Sequence, residues 1–105
     1  MQTRDYLERM IRQIAEMLAR VAGYTAEGRL DEAERELDAT WSSALGFRRK
    51  DALRLDATSL RTLLGPKAEH AAALFDAEAK VMRARGDEAR ARYFESRARE
   101  LTSGS

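Results

Sequence analysis

The sequence predicts an all-α fold, a compact bundle of two helix–turn–helix hairpins joined by a linker that carries a short helix. Three observations predict it. The 105 residues are rich in Ala, Leu, Glu and Arg and include one proline and six glycines, which leaves little that favours strands. Apolar residues recur at intervals of three and four along most of the chain. A phrase built on a turn glycine, an acidic residue and alanine occurs twice, as Gly28-Arg-Leu-Asp-Glu-Ala33 and Gly86-Asp-Glu-Ala-Arg-Ala91. Each copy follows one apolar-periodic run and opens another, so each marks a tight bend between two helices.

The first helix is expected from about Asp5 to Ala22. Leu7, Ile11, Ile14, Leu18 and Val21 step by four, three, four and three, and Met10, Met17, Ala15 and Ala22 widen that stripe to about half the circumference. A face this wide needs more than one neighbour. Residues 23–28 form the first bend. The second helix runs from about Leu30 to Leu45 with Ala33, Leu37 and Trp41 inward, and Gly46 is placed to end it as a left-handed cap. Residues 47–56 are the least regular stretch. Asp56 or Thr58 is suited to cap a short helix bearing Leu60, Leu63 and Leu64, and Gly65-Pro66 stops it and starts the next.

The helix from about Pro66 to Arg85 carries two apolar stripes. Ala68, Ala71, Ala72, Phe75, Ala79 and Met82 form one; His70, Ala73, Leu74, Ala77, Val81 and Ala84 form the other, with charged seams between. Such a helix is expected to be sandwiched. The last helix, about Asp87 to Leu101, turns Ala91, Phe94, Ala98 and Leu101 inward, with Glu88/Arg92 and Glu95/Arg99 as i,i+4 pairs. The expected organisation is one domain over residues 1–101, with hairpins at about 5–45 and 66–101, a linker at 46–65, and a disordered tail over residues 102–105.

Composition narrows the function classes. Nineteen Lys and Arg against eighteen Asp and Glu leave a net charge of +1, so no global field recruits nucleic acid or anionic membrane. The absence of cysteine removes disulfides, thiol catalysis and cysteine-ligated metals. The charged amino-terminal stretch lacks the apolar core of a signal peptide, and no apolar run approaches the ~20 residues that span a bilayer. A cytoplasmic location is therefore expected, with no membrane partner.

The hairpin residues resemble the tetratricopeptide repeat, a helix–turn–helix unit of about 34 residues. Phe75, Ala79, Met82, Gly86, Ala91 and Ala98 fall at its intervals in the second hairpin, and Met17, Tyr24, Gly28, Ala33 and Leu37 in the first. Departures are Arg20, Val21 and Thr40 in the first hairpin and Glu95 in the second. The turn glycines lie 58 residues apart (86 − 28), too far for direct tandem copies, and two units are too few for a solenoid. The whole layout, including Asp5-Tyr-Leu-Glu-Arg-Met-Ile-Arg-Gln-Ile14 and the leucine-rich linker, is similar to a small bacterial family of tetratricopeptide-like proteins of unknown function. That resemblance implies a binding scaffold and transfers no catalytic residue.

No residue set assembles into a reaction. His70 is the only histidine, and the position three before it is Lys67, so the Glu-x-x-His metal pattern is absent and no partner positions it as a base. Neither a metal site nor a cofactor nor an enzyme activity is expected. Trp41 reads as core. Tyr93 projects opposite Phe94 and Ala98, where tyrosine beside arginines suits a binding anchor or packing against a neighbour. Arg48-Arg49-Lys50 beside Phe47 is the one basic cluster suited to an acidic partner or nucleic acid. The expectation is a non-enzymatic protein–protein interaction or self-association module, most readily a homodimer, using His70, Leu74, Ala77, Val81, Tyr93, Arg48 and Arg49. The alternative is a nucleic-acid-binding helical module built on Arg48, Arg49 and Lys50.

Overall fold

The repeated glycine phrase folds into the same hydrogen-bonded turn both times. The computed structural model describes residues 2–102. At the first turn Gly28 has φ +76°, Arg29 N donates to Tyr24 O at 2.8 Å and Gly28 N to Thr25 O at 3.1 Å. At the second, Gly86 has φ +87°, Asp87 N donates to Met82 O at 2.9 Å and Gly86 N to Arg83 O at 3.0 Å. This paired pattern is the Schellman motif, which needs a left-handed residue and so selects glycine. Five residues beyond each glycine, Ala33 and Ala91 are both fully buried, so each phrase also delivers a small residue to the helix crossing.

Around these turns the chain forms α1 (Gln2–Ala26), α2 (Leu30–Thr40) continuing into one π-helical turn (Trp41–Leu45), α3 (Arg49–Arg54), α4 (Ala57–Leu64), a 3₁₀ turn (Gly65–Lys67), α5 (Ala68–Ala84) and α6 (Glu88–Thr102). Among the described residues there is no strand. The Cα radius of gyration is 13.4 Å, close to the ~13 Å of a compact domain of this length. No helix among the described residues is long and apolar enough to cross a membrane.

The central element is α5, which touches α1, α2, α4 and α6. Its first apolar stripe (Ala68, Ala71, Ala72, Phe75, Ala79 and Met82) is buried throughout. The second stripe divides. Leu74 and Val81 are fully buried, whereas His70, Ala73 and Ala77 are half-buried and Ala84 is exposed. Trp41 meets Phe75 with ring centroids 5.3 Å apart, and Phe75 stacks on Phe94 at 5.9 Å. The aromatic row joins the first hairpin, the central helix and the last helix.

Several boundaries differ from expectation. Gly23 lies inside α1 and the bend is confined to residues 27–29; packing of Val21 and Tyr24 outweighs the ~1 kcal/mol that glycine costs inside a helix. The buried stripe of α1 is Met10, Ile14, Met17 and Val21, while Ile11, Ala15 and Ala22 face outward, because α2 and α5 together cover only one side of the wide apolar face. Residues 49–54 are helical, though a helix so short is marginal alone; tertiary ties to Arg49 and Ala52 hold it. Asp56 caps α4, its Oδ1 accepting from Ser59 N at 2.7 Å, and Leu63 points to solvent while Leu60 and Leu64 are buried. Thr40, at an alanine position of the repeat pattern, is buried and satisfied: its hydroxyl donates to Glu36 O at 2.7 Å and approaches Met17 Sδ at 3.4 Å. Thr102 completes α6, and the rest of the expected tail, residues 103–105, lies outside the described residues.

Candidate functional site

The seven residues proposed from sequence do not form one site. Leu74 and Val81 are corrected outright: both are fully buried, sealed inside the chain by the helices around α5, and present nothing to a partner. Ala77 lies in an open groove between α1 and α5. His70 is half-buried on the first turns of α5. Tyr93, Arg48 and Arg49 lie on the other side of the molecule, among α2, α3 and α6.

The α1–α5 groove has a volume of about 410 Å³. Leu18, Ala22 and Ala26 form one wall, Ala73 and Ala77 the other, and Asp76 and Lys80 stand at the rim. The α1 wall extends along a stripe of exposed Ile11, Ala15 and Ala22 with half-buried Leu18, spaced four, three and four as in a helix-packing seam. Ile11 is 45% exposed. Neither Asp76 nor Lys80 has an ion-pair partner among the described residues. A trough walled by four alanines with Leu18, Val21 and Thr25, and with one acid and one base one helical turn apart, remains open on the surface.

Arg49 is a structural hub. Its guanidinium contacts Glu78 at 2.7 Å, Asp38 at 2.8 Å and Glu34 at 3.3 Å, joining α3 to α2 and α5. Glu34 also meets Arg85 at 2.7 Å, and Arg85 meets Asp31 at the same distance. Burial opposes the charge on Arg49, but the carboxylates of Glu78, Asp38 and Glu34 more than offset it and its pKa is raised. Glu78 is only 3% exposed, and burial pushes its carboxyl above the ordinary 4.5 despite the attraction of Arg49. Arg48 pairs with Asp51 at 3.2 Å. Of the basic cluster, Arg49 is therefore committed inward, which sequence adjacency to Arg48 and Lys50 conceals.

A second charged fork ties the last two helices. Arg83 holds Glu88 at 2.8 Å and Glu95 at 3.0 Å, which accounts for an acid where the repeat pattern places a large apolar residue. Glu88 also meets Arg92 at 3.3 Å as expected. Hydrogen bonds from Arg83 hold the Glu88 carboxyl at a pKa of about 2. Glu78 and Glu88 thus act oppositely with pH. The lowered pKa of Glu88 contributes stability above the ordinary carboxylate pKa that is lost as pH falls; the raised pKa of Glu78 favours the folded state in acid, and that contribution is lost as pH rises through its folded value. An NMR carboxyl titration is expected to place Glu88 near 2 and Glu78 above 4.5; reversal of that order would contradict the two environments.

Arg97 is a charged residue of α6 that the fold buries. It is 7% exposed, donating from Nη2 to Leu55 O at 2.6 Å and Ala52 O at 3.4 Å. Its guanidinium lies 5.6 Å from the Phe75 ring and 5.9 Å from the Tyr93 ring, and Nε has no hydrogen-bond partner. The signal was present: position 97 falls between Phe94 and Leu101 on the inward stripe. Tyr93 is 46% exposed and meets Phe94 edge-on at 5.2 Å, packing on its own helix and Arg97.

Among the described residues no group of three or more His, Cys, Asp or Glu side chains is arranged to hold a metal ion. No family model, curated protein or solved structure matches this chain.

Proposed function

We propose that this chain is a non-enzymatic helical interaction module of tetratricopeptide-like type that self-associates as a homodimer through the α1–α5 face. The observation that carries this reading is the open groove between α1 and α5, lined by four alanines, Leu18 and Val21, with an acid and a base at its rim that have no ion-pair partner among the described residues. A twofold interface brings one patch against its own copy, so it must be self-complementary. Antiparallel pairing of α5 with its copy about an axis near Ala77 sets Asp76 of each chain opposite Lys80 of the other. Alanine at 73 and 77 permits the close end of the 8–10 Å range of helix separations, and the Ile11–Ala22 stripe of α1 flanks the contact. The inward commitment of Arg49 supports this over nucleic-acid recognition, which would need that guanidinium free for phosphate.

Sedimentation velocity with charge-reversed variants tests the proposal. The wild-type chain is expected to sediment as a dimer at micromolar concentration. Asp76→Lys and Lys80→Asp each introduce like charges across the axis and are expected to give monomers, while the double reversal restores the dimer. Ala77→Arg, on a partly exposed position, is expected to give a folded monomer. A wild-type monomer at ~100 μM, about −5.5 kcal/mol of association or weaker, or a dimer indifferent to all four variants, overturns the proposal.

A further inference from the structure

The chain between the two hairpins is held by side chains and not by helix packing. We propose that residues 48–55, with α3 at their centre, form a strap that opens as a local unit while both hairpins stay folded. The close-packed helix pairs include α5–α6, α1–α2, α1–α5, α2–α5 and α4–α6, and α3 belongs to none of them. A helix of six residues does not stand alone, and this one has no side-chain cap at its start. Ala52 is its one fully buried residue, with Leu53 and Leu55 half-buried against the core. Grooves of about 280 and 380 Å³ flank Leu53, so solvent reaches both sides of the strap.

Two arginines tie it down. Arg49 reaches Glu34, Asp38 and Glu78, and Arg97 holds the carbonyls of Ala52 and Leu55. Neither tie costs much to release. An ion pair taken out of water returns its desolvation penalty when it opens, and withdrawing Arg49 uncovers Glu78 in the same movement. Arg97 Nε, which has no partner while the strap is shut, gains water. The ends of the strap are secured separately. Gly46 at φ +80° ends the π-helical turn, with Phe47 N donating to Trp41 O at 3.2 Å, and Asp56 caps α4. Between these anchors and α3, Arg48 and Leu55 are extended (φ −74°, ψ 139° and φ −91°, ψ 146°). They are the hinges, and rotation there breaks no backbone bond of α2 or α4. The strap thereby gates the basic cluster. Shut, it keeps Arg49 on an acidic bed; open, it sets Arg49 in solvent beside Arg48 and Lys50. This device does not depend on the α1–α5 dimer, and either can fail without the other.

Thiol labelling tests the strap, because the chain has no cysteine of its own. Ala52 and Ala91 are both fully buried. Ala52→Cys is expected to react with a disulfide reagent roughly a hundredfold faster than Ala91→Cys, since strap opening reaches the first and only unfolding of the hairpin reaches the second. Low urea is expected to speed Ala91→Cys and to leave Ala52→Cys almost unchanged, because the strap uncovers little surface. Ile14→Val, which weakens packing in α1, is expected to speed Ala91→Cys several-fold and not Ala52→Cys. Amide hydrogen exchange of the unsubstituted chain decides the matter should a thiol at position 52 disturb the fold: Ala52 and Leu55 are expected to exchange far faster than Leu74 and Val81. Equal reaction at the two alanines, a rise of both rates in step with Ile14→Val, or exchange at Ala52 as slow as at Val81 each overturns the proposal.

Discussion

Phe75→Ala is expected to remove about 3–5 kcal/mol of folding stability, the range for emptying a buried aromatic position. Phe75 is almost wholly inaccessible and lies between Trp41 at 5.3 Å and Phe94 at 5.9 Å, with the Arg97 guanidinium 5.6 Å from its ring. It stands on the one helix that touches α1, α2, α4 and α6. The cavity would open where the two hairpins meet, and no single element can collapse into it without losing contact with another. Against the ~5–15 kcal/mol of a typical domain, such a loss is a large share of the whole. Urea denaturation followed by circular dichroism measures it. Phe75→Leu, which keeps much of the volume, is expected to cost clearly less; a loss below about 1 kcal/mol for the alanine variant would mean that the aromatic row does not join the hairpins.

Arg49→Ala is expected to cost about 3–5 kcal/mol, because it leaves the buried Glu78 carboxylate without its cation. The side chain of Glu78 is 4% exposed and meets Arg49 at 2.7 Å, so the loss is chiefly an uncompensated charge. The sign of its pH dependence follows. Burial already raises the Glu78 pKa, and loss of Arg49 raises it further. The variant is therefore weakest at neutral pH and recovers part of its deficit in acid as Glu78 takes a proton. Arg49→Met with Glu78→Leu, which removes both charges and keeps the volume, is expected to recover most of the stability at neutral pH. Thermal melts of the three proteins at pH 5 and 7 give the comparison; a single variant as stable as the double would show that the pair carries no such charge.

The fold was legible where a rule acts locally. Gly28 and Gly86 mark turns because only a residue at ease with positive φ closes that hydrogen-bond pattern, and Asp56 caps α4 because its short carboxylate reaches Ser59 N. The regular stripes of α5 likewise revealed a helix that must be covered on more than one side. What stayed hidden was set by partners distant in sequence. The helix at Arg49–Arg54 has almost no periodic signal, since its anchors are Glu34, Asp38, Glu78 and Arg97. Periodicity also gave no means of dividing the second α5 stripe into the buried Leu74 and Val81 and the half-open Ala73 and Ala77, because that division depends on where α1 crosses. Charge type misled in the same way. Arg97 lies by spacing on the inward stripe of α6 and Glu78 in a charged seam between the α5 stripes, and other elements enclose both.

The indole of Trp41 has a practical consequence. The chain has a single tryptophan, fully enclosed at the junction of the two hairpins beside Phe75. Its emission is thus a built-in optical gauge of whether the halves of the molecule remain together, reading the integrity of that seam without any attached dye.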